Sequence, residues 1–284
     1  MNPIRRKQNR KRKPGKNSSN IILMKDTLES ALKTSGRVLL EYFNKPVKAS
    51  QKESQSSIVT EADFASDSVI SGIIRKKFPS HNLISEETGF LDNNSEYTWI
   101  IDPLDGTSNF ASSIPWFGIL ISLFRKDEPF MGGAYLPVQD ILYFAEKGKG
   151  AFRNDEPLTM PGNIESKNSL VAFSLDYTDD EAFLNKGIDI YKYIVRNTRN
   201  IRSTNSLIDF VYVAEGKFGG CVNLFTKVWD IAAPLLIIEE AGGEMIDIYG
   251  NDISFTISGK LMTKNFPVVT GSKEIVKSLR KILI

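Results

Sequence analysis

From residue 24 onward the chain alternates between two hydrophobic periods. "MKDTLESALKTSGRVLLEYF" (24–43) sets Leu28, Ala31, Leu32, Val38, Leu39 and Phe43 near helical spacing, and Pro46 follows the expected end. A polar loop, "KASQKESQSS", leads to "IVTEADFASDSVISGIIRKKFP" (58–79). This reads as a second amphipathic helix with Phe64, Val69, Ile70, Ile73, Ile74 and Phe78 on its apolar side, stopped by Pro79. "HNLISEETG" is a short strand ending in an acidic turn, and "YTWIIDPLDG" is a strand that runs straight into Asp102 and Asp105. Residues 117–158 break into short apolar runs divided by Gly, Pro and charged turns, the pattern of an antiparallel meander. Beyond it, "SLVAFSLDY" predicts a strand, and 179–197 a helix. "IRSTNSLIDFVYVAEGKFGGCVNLF" predicts strand, helix and strand. "WDIAAPLLIIEEAGGEMIDIYG" predicts a helix closed by Gly242-Gly243 and then a strand, and "FPVVTGSKEIVKSLRKIL" a last strand and helix. No repeat is visible. Interleaved helices and strands with an antiparallel middle predict a layered α/β fold rather than a regular βαβ barrel.

Composition narrows this little. The 284 residues suffice for one large unit or two fused ones, with 41% apolar and 25% charged residues. No apolar run approaches the roughly 18 residues of a membrane-spanning helix. The single cysteine, Cys221, excludes an intrachain disulfide or a Cys-rich metal site and fits a reducing, cytoplasmic setting. Net charge is +2, but "RRKQNRKRKPGKNSSN" near the start holds eight Lys or Arg without an acid or an apolar residue. Residues 1–23 are therefore expected to be a solvated basic tail. The alternative is a basic arm that touches nucleic acid or anionic lipid.

Four acidic positions stand at element edges: Asp63, Glu86 with Glu87, the Asp102/Asp105 pair, and Asp230. Singly each has an ordinary explanation. Thr60-x-x-Asp63 makes a helix capping box, Glu86 and Glu87 make solvated turn charges, and Asp230 makes an N-cap. The pair at 102 and 105 resists such an account, because an apolar strand delivers two anions to one turn. Pro103 bars continuation of the ladder, and Gly106 lets backbone approach a ligand. Hard oxygen donors without His or Cys suit Mg²⁺ or Mn²⁺. The single histidine, His81, falls between Ser80 and Asn82 in a predicted loop and is expected at the surface. Metal held by carboxylates beside a Gly-Thr turn and helix N-termini describes a phosphate site, and two metals could hold an attacking water and a leaving oxygen in line. The P-loop pattern is absent.

These residues resemble the inositol monophosphatase family, a branch of the Mg²⁺-dependent, lithium-sensitive phosphatases. "WIIDPLDGTSNF" resembles its first signature and "WDIAAPLLIIEEAGG" its second; "IVTEAD", "SEETG" and "IRSTNS" match three further motifs in order. The resemblance covers residues 24–284, and we take lobes of about 24–157 and 158–284. It implies an alternating α-β-α-β-α sandwich, a homodimer, and two or three Mg²⁺ ions acting on a small phosphate ester. By resemblance Glu86, Asp102 and the Leu104 carbonyl hold a first metal, and Asp102, Asp105 and Asp230 a second. Asp63 and Thr107 orient the water with help from Glu86. Lys52 lies near the phosphate side, and Gly106 and Thr107 offer it N–H groups. Asn205 and Ser206 belong to the substrate turn, with Asn205 where the family commonly has Gly. Asn223 stands where inositol-hydrolysing members carry Glu. Both departures touch the pocket for the alcohol, which implies intact catalysis with a shifted preference among sugar and polyol phosphates. Nucleotidase activity on 3′-phosphoadenosine 5′-phosphate, fructose-1,6-bisphosphatase activity, and a non-catalytic anion-binding role are the alternatives.

Overall fold

The computed structural model describes residues 16–43, 45, 49–52, 58–162 and 165–283. In chain order its first part comprises α1 (Lys16–Tyr42), β1 (Ala49–Gln51), β2 (Ile58–Thr60), α2 (Glu61–Lys77), β3 (Asn82–Ser85), β4 (Gly89–Leu91), β5 (Tyr97–Asp105) and α3 (Thr107–Ala111). The meander follows as β6 (Gly118–Arg125), β7 (Glu128–Leu136), β8 (Ile141–Glu146), β9 (Gly150–Arg153) and β10 (Glu156–Leu158). The last part holds β11 (Leu170–Ser174), α4 (Glu181–Asn197), β12 (Asn200–Arg202), α5 (Leu207–Ala214), β13 (Gly220–Asn223), α6 (Val228–Glu240), β14 (Glu244–Asp247), β15 (Val268–Gly271) and α7 (Lys273–Leu279).

The strands form an eight-stranded sheet, ordered β10-β9-β8-β7-β6-β5-β3-β4, and a five-stranded sheet, ordered β12-β11-β13-β15-β14. Three apolar cores fix the layers. Leu28, Leu32, Ile70 and Ile74 of α1 and α2 pack on one face of the large sheet with Trp99, Ile101 and Ile121. On its other face, α5 and α6 bury Phe210, Ile231 and Leu235 against Ile100, Leu120 and Ala134, while also covering Ala172 and Cys221 of the small sheet. The far face of the small sheet packs Val171, Phe173 and Val222 on Ile190 and Ile194 of α4 and Ile275 of α7. The result is the expected α-β-α-β-α order, in which one helical layer serves both sheets.

Several expectations need correction. Helix α1 begins at Lys16, not near Met24; residues 1–15, most of the expected tail, lie outside the described residues. Within the expected polar loop, Ala49–Gln51 pairs antiparallel with Ile58–Thr60, so the second helix starts only at Glu61. Phe64 is 51% exposed. The buried face of α2 instead carries Ala62, Asp63, Ser66, Asp67, Ile70 and Ile74, because it lies over the polar end of β5. There Ser66 Oγ donates to the Pro103 carbonyl at 2.5 Å, and the Ser85 hydroxyl donates to Asp67.

His81 is the clearest departure, at only 8% exposure. A turn in which His81 N donates to the Phe78 carbonyl at 3.1 Å folds the ring inward. It stacks against Phe78 and Tyr97, and Trp99 Nε1 donates to its Nδ1 at 3.0 Å. The aromatic residues around it, not its loop position, decide its burial.

Candidate active site

Strand β5 leaves its partner β6 in register up to Asp102 and rejoins it at Asp105, with the irregularity between them. Pro103 cannot donate to the ladder, so the chain bulges there, and both aspartates emerge on one short arc. Gly106 then turns the chain with φ 85. A Cβ at Gly106 would meet the Trp116 carbonyl oxygen at 2.6 Å, so only glycine fits this close passage into α3.

Asp230 comes from 125 residues further on, at the third position of α6 rather than at its N-cap. Carboxylate oxygens of Asp102, Asp105 and Asp230 all lie within 4.8 Å of one another. Each aspartate has one oxygen tied to a backbone N–H: Leu104 N donates to Asp102 at 3.0 Å, Leu207 N to Asp105 at 2.5 Å, and Lys227 N to Asp230 at 2.6 Å. Among the described residues none of the three has an ion pair. Burial is the main force pushing their pKa values up, and the neighbouring carboxylates add to it for Asp102 and Asp105. Asp230 is pushed up to about 6, again chiefly by burial, with Asp176 adding to the shift. Three carboxylates, Asp102 buried and the other two partly so, sharing one spot without a protein cation among the described residues are the donor set of a hard divalent ion, so these residues fit Mg²⁺ or Mn²⁺.

Glu86 lies outside that tight group. Lys52, just after β1, bridges Glu86 Oε1 at 2.9 Å and Glu87 Oε1 at 2.5 Å. Burial lifts Glu86 to about 7, with Lys52 opposing and Asp230 reinforcing the rise. Burial works against the charge on Lys52, yet the two glutamates raise its pKa. Lys52 thus sits on the acidic turn itself. Glu87 is a buried ion-pair partner, not the solvated charge its turn position suggests.

Asp63 divides its two oxygens. Oδ2 accepts from Thr60 N at 2.8 Å and Thr60 Oγ1 at 2.6 Å, which completes the capping box of α2. Oδ1 faces Thr107 Oγ1 at 3.1 Å. The same hydroxyl lies 2.9 Å from the Leu104 carbonyl oxygen, and with one proton it donates to one of these acceptors at a time. Burial pushes the Asp63 carboxyl up against the pull of its hydrogen bonds.

The substrate turn approaches from the small sheet. Asn205 has φ 50, the left-handed region in which glycine is favoured and asparagine tolerated. Ser206 is the N-cap of α5, and its Oγ accepts weakly from Ile208 N at 3.4 Å. Asn223, at the end of β13, uses its Oδ1 to accept from Phe225 N at 3.0 Å. Sequence reasoning overlooked Asp209, which lies under this turn. It accepts from Thr204 Oγ1 at 2.8 Å and Asn205 N at 3.2 Å, and burial lifts it to about 6. Ser206-x-x-Asp209 is a capping-box spacing, so the signal was present.

The inositol monophosphatase family model matches residues 23–282. The chain belongs to the inositol monophosphatase family. It is 37% identical to the fructose-1,6-bisphosphatase/inositol-1-monophosphatase of Aquifex aeolicus over 73% of this chain and 79% of that protein. Nus factor SuhB of Haemophilus influenzae is 30% identical over 90% and 95% of the two chains. Among solved structures, an IMPase of Thermotoga maritima superposes with a TM-score of 0.79 at 28% identity, covering 91% of this chain and 95% of that one. The layered architecture is thus that of the inositol monophosphatase fold, and family membership implies phosphatase activity. Among the described residues, no helix is long and apolar enough to cross a membrane.

Proposed function

We propose that the protein is a Mg²⁺-dependent phosphomonoesterase that uses water to hydrolyse inositol monophosphate or a related sugar or polyol phosphate. The observation that carries this reading is the group of Asp102, Asp105 and Asp230 oxygens within 4.8 Å, with the Thr107–Asp63 pair at the same strand end. Asp102, Asp105 and Asp230, with Glu86 and the Leu104 carbonyl beside them, would hold the metal. When bound, Mg²⁺ would neutralise the phosphate dianion and make water more acidic.

The chain's own groups do the positioning. Thr107 Oγ1 donates to Asp63 Oδ1, which leaves a hydroxyl lone pair to accept from the attacking water and so to aim it. Asp63, its carboxyl raised by burial and bonded to that hydroxyl, would take up the proton. The N–H groups of Gly106 and Thr107 would bind the phosphate, and Gly106 leaves room for its close approach. Lys52 holds Glu86 in place as a residue that would help hold the metal. The helix starts of α5 and α6 and the Asn205–Ser206 turn bound the alcohol side.

Fructose-1,6-bisphosphatase activity is the second reading, favoured by the name of the Aquifex relative. The deciding experiment measures phosphate release from inositol 1-phosphate, fructose 1,6-bisphosphate and 3′-phosphoadenosine 5′-phosphate, with Mg²⁺ and with chelator. Turnover with Mg²⁺ on at least one ester, abolished by chelation, supports the reading. No turnover on any, or undiminished turnover in chelator, ends it and favours a non-catalytic role.

A further inference from the structure

Asn223 leaves the alcohol side without a carboxylate of its own, but the segment that follows β11 carries one close by. Strands β11 and β13 run parallel, with Ser174 paired to Asn223, so the chains that leave them emerge side by side. From β13 the chain enters α6 with Asp230; from β12, also parallel to β11, it enters α5, whose Leu207 N holds Asp105. The segment leaving β11 carries Asp176 into this convergence, where Asn205 Nδ2 donates to its Oδ1 at 3.0 Å. We propose that Asp176 recognises the hydroxyl groups of the substrate's alcohol portion and disfavours esters that bring a second phosphate to that place; this rests on the phosphatase reading above.

Two observations support it. First, Asp176 is half-buried and has no ion pair among the described residues, and Asn205 meets only one of its oxygens. Second, it lies on the appropriate side of the centre. Asp63 and Thr107 stand at the junction of α2 and β5, whereas Asp176 is held by Asn205, two residues before the Leu207 whose N–H holds Asp105. Attack and departure are in line in phosphoryl transfer, so a water aimed from the Thr107 side sends the alcohol toward the Asp176 side. The residue that ends β11 serves the neighbouring carboxyl instead. Val171 and Phe173 turn into the α4–α7 core and Ala172 into the α5–α6 core, so Ser174 faces the α5–α6 side too. Ser174 Oγ is buried, the residue being 2% exposed, and turns toward Asp209 rather than toward Asp176.

The chemistry distinguishes Asp176 from Asn223. A carboxylate accepts hydrogen bonds from sugar hydroxyls with charge assistance and repels a phosphate. Asn223 has its acceptor oxygen engaged by Phe225 N and serves the turn.

The test compares kcat/KM on inositol 1-phosphate, fructose 1,6-bisphosphate and p-nitrophenyl phosphate, an ester whose alcohol has no further hydroxyls, all with saturating Mg²⁺. In Asp176→Asn, the inositol-to-aryl ratio should fall about tenfold, mainly through KM, the scale of losing one charge-assisted hydrogen bond. The bisphosphate-to-inositol ratio should rise by a similar factor, and Asp176→Glu should restore part of both. Unchanged ratios in a folded Asp176→Asn protein would overturn the inference and reduce Asp176 to an anchor for the turn. A wild type inactive on all three esters would instead refute the phosphatase reading, and this inference with it.

Discussion

Thr107 Oγ1 lies 3.1 Å from Asp63 Oδ1, joining the first residue of α3 to the first turn of α2 across 44 residues of chain. Two explanations of Asp63, as a helix cap and as a group facing the reaction, therefore hold together, one for each carboxylate oxygen. They separate by experiment. Thr107→Ala should reduce kcat by about 10²-fold or more, in the range of general-base assistance, with little change in stability. Asp63→Asn should reduce kcat comparably and also cost about 1 kcal/mol of stability through the weakened cap. The double variant should lose little more than either single one. Multiplicative losses in the double variant would mean that the two residues do not act as a unit.

Removing one anion from the buried cluster should have opposite effects on the empty and the loaded protein. Asp105→Asn keeps an acceptor for Leu207 N but relieves repulsion among Asp102, Asp105 and Asp230. In chelator near pH 8 its unfolding midpoint should be higher than the wild type's. With Mg²⁺ its gain in midpoint should be smaller, and turnover should drop at least about 10²-fold, the scale of losing one major electrostatic contributor. Thermal unfolding with and without Mg²⁺ reads both. Equal Mg²⁺ stabilisation of the two proteins would remove Asp105 from the metal site.

Gly106→Ala combines two penalties: a positive φ and a Cβ 2.6 Å from a backbone oxygen. About 2 kcal/mol or more of stability should be lost, because backbone cannot yield as a side chain can. Gly148, with φ 73 and nothing within 4 Å, isolates the conformational part. Its alanine variant should lose only about 1 kcal/mol. Denaturant midpoints compare the two, and equal losses would show that the contact with Trp116 is soft.

His81 supplies a pH-dependent term. Burial lowers its pKa below the ordinary 6.5, against a smaller upward pull from Glu96. Trp99 needs Nδ1 as an acceptor, so the folded state favours the neutral ring. The unfolded chain takes the proton first, and this contribution is present above about pH 6.5 and is lost as pH falls below it. Asn at position 81 can accept from Trp99 without titrating. With Mg²⁺ held constant, the wild type should therefore lose more stability than His81→Asn between pH 7.5 and 5. Parallel curves would contradict the assignment.

How much of this was legible in the sequence depends on whether the signal was local. Asp102, Pro103, Asp105 and Gly106 are adjacent in sequence, so their turn could be read directly. The alternating periods pointed to a layered α/β fold, and the family resemblance alone implied the order of the layers. His81 was misjudged because its aromatic partners Phe78, Tyr97 and Trp99 surround it only after β3 and β5 pair. Phe64 was misjudged for the converse reason: the face of α2 that is buried carries Ser66 and Asp67, whose hydrogen-bond partners on β3 and β5 no periodicity reveals. Asp176 carries no local motif at all, since its partner Asn205 is brought to it by the parallel pairing of β11 with β12.

The helical layer shared by both sheets has a consequence for synthesis. Asp105 is fixed by Leu207 N, and its companion Asp230 arrives from α6, so the chemistry has no meaning for a nascent chain that ends with the first sheet. Until roughly the last fifth of the polypeptide emerges, the large sheet has one apolar face bare and two aspartates without their third companion. Such a chain depends on long-range closure, the slow kind of folding, and is exposed to aggregation while it waits. A truncated first half should therefore be a client of holdase chaperones rather than a weak enzyme.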